Sequence, residues 1–381
     1  MLFSFDIYHK IELSCDFLDT NDALLDTNMA RKTVLPKVFI VLSFMLGITC
    51  AGSCVMMGTN NHKSHPLHDR FSRLQHDLPP LDFTQPPLIT PAMQSYHAFY
   101  HLDFPEVEHR WGSFQSGEYT LAAHIFTPQE PKGTVFLLHG YLDHTGILYR
   151  VIQNCLKQQF VVAIYDLPGH GLSSGERADI SDFSAYVSVF HDFLGLCRPH
   201  VPTPYHVLSH STGSAIVFEY LAATPEPFFD KIIFLAPLVH HVHWRTSKIA
   251  FTLCKLVQID ALPRRYSQKD LDPALIDFIK TDPLQTDRVP MTWVEALYKW
   301  NKKIQKTEEM TLSALIIQGK EDDVVDWEYN MPFLQKKFPQ ASIKVIDEAG
   351  HYLINESSEI QAEIFQTVNA YLKDRSQEEF P

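Results

Sequence analysis

Residues 207–215 read VLSHSTGSA, an apolar run that breaks into Ser209, His210, Ser211, Thr212 and Gly213 before small residues resume. A strand that turns at once into a helix does two things for a serine at the bend. It holds the hydroxyl clear of the sheet, and it aims the first amides of the helix at the group under attack. The stretch fits the elbow pattern G-x-S-x-G, with Gly213 in place and Ser209, among the smallest substitutes, standing for the first glycine. Gly213, Ser214 and Ala215 would let the helix pack close to the strands. A serine hydroxyl also needs a base, so the reading depends on the rest of the chain.

From about residue 96 onward, short β-branched and aromatic runs alternate with longer mixed segments, the pattern of an α/β fold with a mostly parallel central sheet flanked by helices. EYTLAAHIF (118–126) reads as an early hairpin strand; GTVFLLHG (133–140), FVVAIYDLPGHG (160–171), YHVLSHS (205–211), KIIFLAPL (231–238), SALIIQG (313–319) and ASIKVID (341–347) follow. Strands buried on both faces lose the alternation of apolar and polar residues, which is why these runs are continuously apolar. The closing helix is expected within 357–374, with Ile360, Ile364, Val368 and Tyr371 at helical spacing. In such sheets chemistry gathers at the carboxyl ends of the strands.

Two further residues fall at strand ends. LIIQGKEDDVVD (315–326) puts Asp322 just past one strand, and VIDEAGHYLINE (345–356) puts His351 just past the next. The order Ser, Asp, His suits a relay in which His351 takes the proton of Ser211 and Asp322 fixes the imidazole tautomer. Glu321, Asp323 and Asp326 are rivals for the acid, and Asp322 is preferred. Each residue alone has a plainer explanation, as a helix cap, a turn or a surface histidine.

The blocks LLHGYLDHTGILY, DLPGHGLSSGER, SHSTGSA, APLV, TDPL, GKEDDVV and AGHYLINE resemble those of the α/β-hydrolase superfamily, and within it the monoacylglycerol lipase and lysophospholipase group. The resemblance spans about residues 95–375. It implies catalytic Ser211, Asp322 and His351, and an oxyanion hole from the backbone N–H groups of Tyr141 and Thr212. Tyr141 stands where the family carries a small residue, which bears on how open the acyl end of the pocket is. His139 and His170 are expected to tie loops beneath the site. The resemblance also implies a cap insertion, about 238–311, read as helical. Ile249, Leu253 and Leu256 share one helical face there, as do Val294, Leu297 and Tyr298, and are expected either to pack the cap onto the core or to line an acyl pocket. HHVHW (240–244) could ligate zinc, but a complete triad needs no metal, and no cofactor is expected.

Across 381 residues, 45% are hydrophobic and 20% charged, a globular mix. The formal charge of −13, without a long basic cluster, argues against a nucleic-acid partner. Of six cysteines, Cys15, Cys50 and Cys54 precede the globular part. Cys155, Cys197 and Cys254 lie inside it at wide spacings and read as buried apolar thiols rather than a disulfide framework or zinc site.

Residues 1–57 are expected to be a tail and a signal or anchor. VFIVLSFMLGITCAGSCVMM (38–57) is uncharged, apolar and long enough to cross a bilayer, and Arg31, Lys32 and Lys37 flank it. The expectation is a membrane-anchored or exported protein with its catalytic domain on the non-cytoplasmic side. A retained anchor and a cleaved signal compete, and acylation of Cys50 or Cys54 ranks last. Met29 is an alternative start. Residues 58–95, rich in His and Pro, read as an extended tether. His62, His65 and His68 lie in that tether, without a fixed geometry for metal.

The leading expectation is a serine ester hydrolase acting on a monoacylglycerol or lysophospholipid. A short-chain carboxylesterase, aminopeptidase or perhydrolase could use the same triad, and a noncatalytic binding module is the alternative outside enzymes. A serine at the elbow weighs against epoxide hydrolases and haloalkane dehalogenases, which use aspartate there.

Overall fold

Apolar segments too short for a second turn of helix form the centre of the protein. The computed structural model describes residues 67–224, 227–264 and 273–373. In chain order the elements are α1 (His68–Asp77), α2 (Pro91–Tyr100), β1 (Glu108–Ser116), β2 (Tyr119–Thr127), β3 (Thr134–Leu138), α3 (Tyr149–Lys157), β4 (Val161–Tyr165), α4 (Phe183–Cys197), β5 (Tyr205–His210), α5 (Thr212–Ala223) and β6 (Lys231–Leu235). After these come α6 (Trp244–Leu256), β7 (Ala261–Pro263), α7 (Pro273–Thr281), β8 (Arg288–Pro290), α8 (Met291–Ile304), β9 (Leu315–Gly319), α9 (Trp327–Lys337), β10 (Ser342–Ile346) and α10 (Ser358–Lys373).

An eight-stranded sheet has the order β1-β2-β4-β3-β5-β6-β9-β10. The hairpin β1–β2 and the β2–β4 pair are antiparallel, and the rest is parallel. Every residue of β3, β4, β6 and β9 is buried, as continuous apolar runs demand. The side chains of the sheet divide between two cores. Phe136, Leu138, Val207, Phe234 and Ile316 face the side covered by α4, α5, α8 and α9, whereas Val135, Leu137, Leu208, Ile233 and Ile317 face α1, α2, α3 and α10. Helix α10 closes the second core through Ile364, Val368 and Leu372. Cys155, Cys197 and Cys254 are free and buried, and burial pushes the Cys155 thiol up to about 12.

Two expectations need correction. The part of the expected tether from residue 67 onward is folded: α1 buries Phe71 and Leu74, and the Pro79–Leu81 stretch bridges β1, with Leu81 N donating to Ser113 O at 2.8 Å. The apolar spacing of Phe71, Leu74 and Leu78 outweighs the prolines, which bound the helix instead of preventing it. Within the cap, Ile249, Leu253 and Leu256 are not packed onto the core among the described residues, being 58%, 36% and 80% exposed. The second stripe does pack inward: Leu297 is fully buried, and Val294 and Tyr298 lie against the core. The cap also carries the short antiparallel pair β7–β8.

Among the described residues, no helix is long and apolar enough to cross a membrane. The apolar run 38–57, Cys15, Cys50, Cys54, His62 and His65 lie outside the described residues.

Candidate active site

Strand β5 ends at His210, and the chain reverses at Ser211, whose φ of 50° and ψ of −113° are disfavoured for any residue with a side chain. Such a conformation costs about 1–3 kcal/mol and persists only where its surroundings over-determine it. They do so here. Ser211 N donates to Leu235 O at 3.0 Å, and Ser211 O accepts from the amides of Ser214, Ala215 and Leu238 at 3.0, 3.2 and 3.2 Å. Gly213 must lack a side chain, because a Cβ there would lie 2.7 Å from the carbonyl oxygens of Leu138 and His139. Ser209, in the place of the first glycine, is tied down by its hydroxyl, which donates to Ser214 Oγ at 3.1 Å.

The bend presents Ser211 Oγ to His351 Nε2 at 3.0 Å. On the other side of the ring, Nδ1 lies 2.9 Å from Asp322 Oδ2. Asp322 in turn accepts from the amides of Val324 and Val325 through Oδ1, both at 2.9 Å, and from Gln318 Nε2 through Oδ2 at 2.9 Å. All three side chains are buried. Burial alone would depress the His351 imidazole, but the charge and hydrogen bond of Asp322 raise it above its ordinary range. For Asp322 burial acts upward, and the facing imidazole with the donated hydrogen bonds holds the carboxyl below its usual range. The rival acids stand elsewhere: Asp326 caps α9 through Tyr329 N at 3.2 Å, and Glu321 and Asp323 are exposed.

The loop after β3 lies against the elbow. A Cβ on Gly140 would come within 3.3 Å of the Ser211 Cβ, so the loop that carries Tyr141 passes close to the nucleophile. Thr212 N opens α5, where first-turn amides have no partner within the helix and point at a developing negative charge. These two are the donors expected from the sequence. His139 ties the loop from beneath, its Nε2 accepting from Leu167 N at 2.9 Å. His170 Nδ1 donates to Pro168 O at 2.8 Å, and burial pulls the His170 imidazole down to about 3, so the ring is uncharged at neutral pH.

Two ties were not legible beforehand. His210 Nε2 meets the backbone carbonyl of His351 at 3.0 Å, while its Nδ1 faces Asp143 at 3.7 Å, beyond hydrogen-bond length. Asp282, in the TDPL block of the cap, accepts from Tyr100 OH at 2.6 Å and meets His144 Nε2 at 2.8 Å. The signal for both was present in the block LLHGYLDHTGILY, which carries an acid and a histidine with no assigned task. In the HHVHW stretch, His240 stacks between Trp244 and Tyr329 and His241 meets Val242 O at 2.7 Å. Among the described residues, no cluster of three His, Cys, Asp or Glu side chains is arranged to hold a metal.

Residues 129–358 match the model of the family described as serine aminopeptidase, S33. The monoacylglycerol lipase of Mycolicibacterium smegmatis is 29% identical over 210 residues, 53% of this chain and 74% of that one. The monoglyceride lipase of Rattus norvegicus is 25% identical over 271 residues, 68% of this chain and 88% of its own. Among solved structures, a soluble variant of the monoglyceride lipase of Saccharomyces cerevisiae, in complex with a substrate analog, superposes with a TM-score of 0.59 at 19% identity, covering 68% of this chain and 94% of that one. The monoacylglycerol lipase of Paleococcus ferrophilus gives 0.56 at 20% identity, covering 66% and 98%. Both likenesses are of fold. The chain has the α/β-hydrolase fold and belongs to the serine aminopeptidase S33 family, in which it is monoacylglycerol lipase-like.

Proposed function

We propose that the chain is a carboxylic ester hydrolase that cleaves a single-chain lipid ester, a monoacylglycerol or lysophospholipid, with Ser211 as nucleophile, His351 as base and Asp322 as its orienting acid. The observation that carries this is the 3.0 Å approach of Ser211 Oγ to His351 Nε2 on a ring whose other nitrogen faces a buried carboxylate. His351 Nε2 accepts the hydroxyl proton as Oγ bonds to the ester carbon. The oxyanion settles against Tyr141 N and Thr212 N, and Asp322 stabilises the imidazolium. The tetrahedral species collapses when His351 returns its proton to the leaving alcohol. A water then repeats the sequence on the acyl-enzyme and releases the fatty acid.

The lipid part of the reading is supported by relatives named as monoacylglycerol lipases and by the apolar run 38–57, which we take as a membrane anchor holding the domain on the non-cytoplasmic side. The family description favours a second reading, an aminopeptidase, because the same relay can attack an amide. Labelling with a fluorophosphonate, with Ser211→Ala as control, tests the nucleophile. Equal labelling of both proteins would defeat it. A panel of monoacylglycerols, lysophospholipids, diacylglycerols and aminoacyl amides then tests substrate class, and preference for the amides would replace the lipid reading. Membrane pelleting that survives alkaline carbonate is expected, and release of the full chain by carbonate would exclude the anchor.

A further inference from the structure

Aromatic rings fill the space beside the proposed oxyanion amide of Tyr141. The Tyr141 ring lies flat on Trp293 of α8, centroids 3.7 Å and planes 17° apart. Its hydroxyl donates to Ala178 O at 2.7 Å, so both the face and the tip of the ring are fixed. Trp293 is buried and continues into Phe183, 5.9 Å away. A side chain larger than the family's small residue has been built into a packed wall.

The chemistry says which part of the substrate meets that wall. The leaving oxygen must receive its proton from His351 Nε2, so the alcohol portion sits on the His351 side. The other substituent of the ester carbon, the acyl chain, runs the opposite way. Leu353 and Ile354, just after His351, pack into the core covered by α3 and α10, whereas Trp293 and Phe183, with Tyr141 against them, pack into the core covered by α4 and α8.

We propose that the Tyr141–Trp293 stack ends the acyl compartment and narrows the substrates proposed above to short-acyl monoacylglycerols, at the expense of long-chain ones. The inference rests on the serine-hydrolase reading above. Each methylene beyond the wall has to displace a packed ring, and a pocket of this kind discriminates by about tenfold or more for a single methylene.

The test measures kcat/KM of the full chain for monobutyrylglycerol and monopalmitoylglycerol, in the wild type and in Tyr141→Ala and Trp293→Ala. The ratio of the two substrates within each protein cancels any general loss from disturbing the loop of Tyr141. The wild type is expected to favour the butyryl ester by at least about tenfold, and each alanine variant to shift that ratio toward palmitoyl by about tenfold. Should Tyr141→Ala fail to fold, Trp293→Ala, which removes the stacking partner on α8 and leaves residue 141 itself unchanged, carries the test; a thermal melt checks each. A wild type that prefers the palmitoyl ester, or a ratio unmoved in a folded variant, overturns the proposal. If neither ester is cleaved and the fluorophosphonate does not label Ser211, the underlying serine-hydrolase reading has failed, a result distinct from an unmoved ratio.

Discussion

Replacing Asp322 by asparagine separates what this carboxylate does for folding from what it does for His351. Its Oδ1 accepts from Val324 N and Val325 N, and an amide oxygen can keep both bonds. Its Oδ2 accepts from Gln318 Nε2 and faces His351 Nδ1, each at 2.9 Å, and an NH2 there confronts two donors. Gln318 can relieve its half of the conflict, because its Oε1 is buried without a partner and a flip of the amide would let it accept, though the flip gives up the bond from Gln318 Nε2 to Gly319 O. The folding cost is therefore about one hydrogen bond, ~1 kcal/mol. His351 has no such remedy. To accept from the new amide its Nδ1 must lose its proton, which puts the proton on Nε2, facing Ser211, where a lone pair is needed. We expect kcat/KM to fall by about 10⁴-fold, or ~5.5 kcal/mol of transition-state stabilisation, with a melting temperature within a few degrees of wild type. The pH profile is the second readout. Since the charge of Asp322 raises the His351 imidazole, the acid limb of the wild-type kcat/KM lies above the ordinary imidazole value of about 6.5, and that of the residual Asp322→Asn activity moves to lower pH. A loss below about tenfold, or an acid limb that stays in place, would refute the assignment of Asp322.

Gly213→Ala should destabilise by about 1–3 kcal/mol, because the added methyl meets two carbonyl oxygens of the neighbouring strand end; a urea midpoint equal to wild type would contradict the tight elbow. Leu256→Glu on the exposed cap stripe should change stability by less than about 0.5 kcal/mol, while Leu297→Ala, fully buried, should cost about 2–5 kcal/mol, both read by denaturant unfolding. Burial holds His124 at about 3 and His97 at about 4, so these rings are neutral in the folded protein and protonated once unfolded in mildly acidic solution. The unfolded chain then binds more protons, and stability falls as pH drops from about 6.5 toward 4. A flat urea midpoint across that window would show that the two histidines are not buried as described.

The parallel strands were legible because a strand covered on both faces must be apolar throughout, and the candidate site was legible because strand ends are where such a sheet exposes functional groups. Ser211, Asp322 and His351 each lie shortly past an apolar run, and the structure brings Ser211 and Asp322 each within hydrogen-bond reach of His351. Strand β1 was missed because EHRWGSFQS has polar residues at most outward positions, so its pairing with β2 carries the signal rather than its composition. The exposed stripe of α6 misled for the opposite reason: helical spacing reports that apolar residues share a face, not what that face meets. Asp143 and Asp282 escaped because a buried acid betrays itself only through partners distant in the chain, His210 and His144.

The Pro79–Leu81 stretch has a practical consequence. By bonding to Ser113 on both sides of one residue, it masks part of the outer border of the hairpin with a segment whose prolines cannot propagate a ladder to another molecule. A truncation placed where the strand and helix alternation begins in the sequence, near residue 96, would strip that mask and leave unpaired amides along β1. A minimal catalytic fragment should therefore keep residues 79–81, so that this part of the β1 edge stays closed to pairing with another copy.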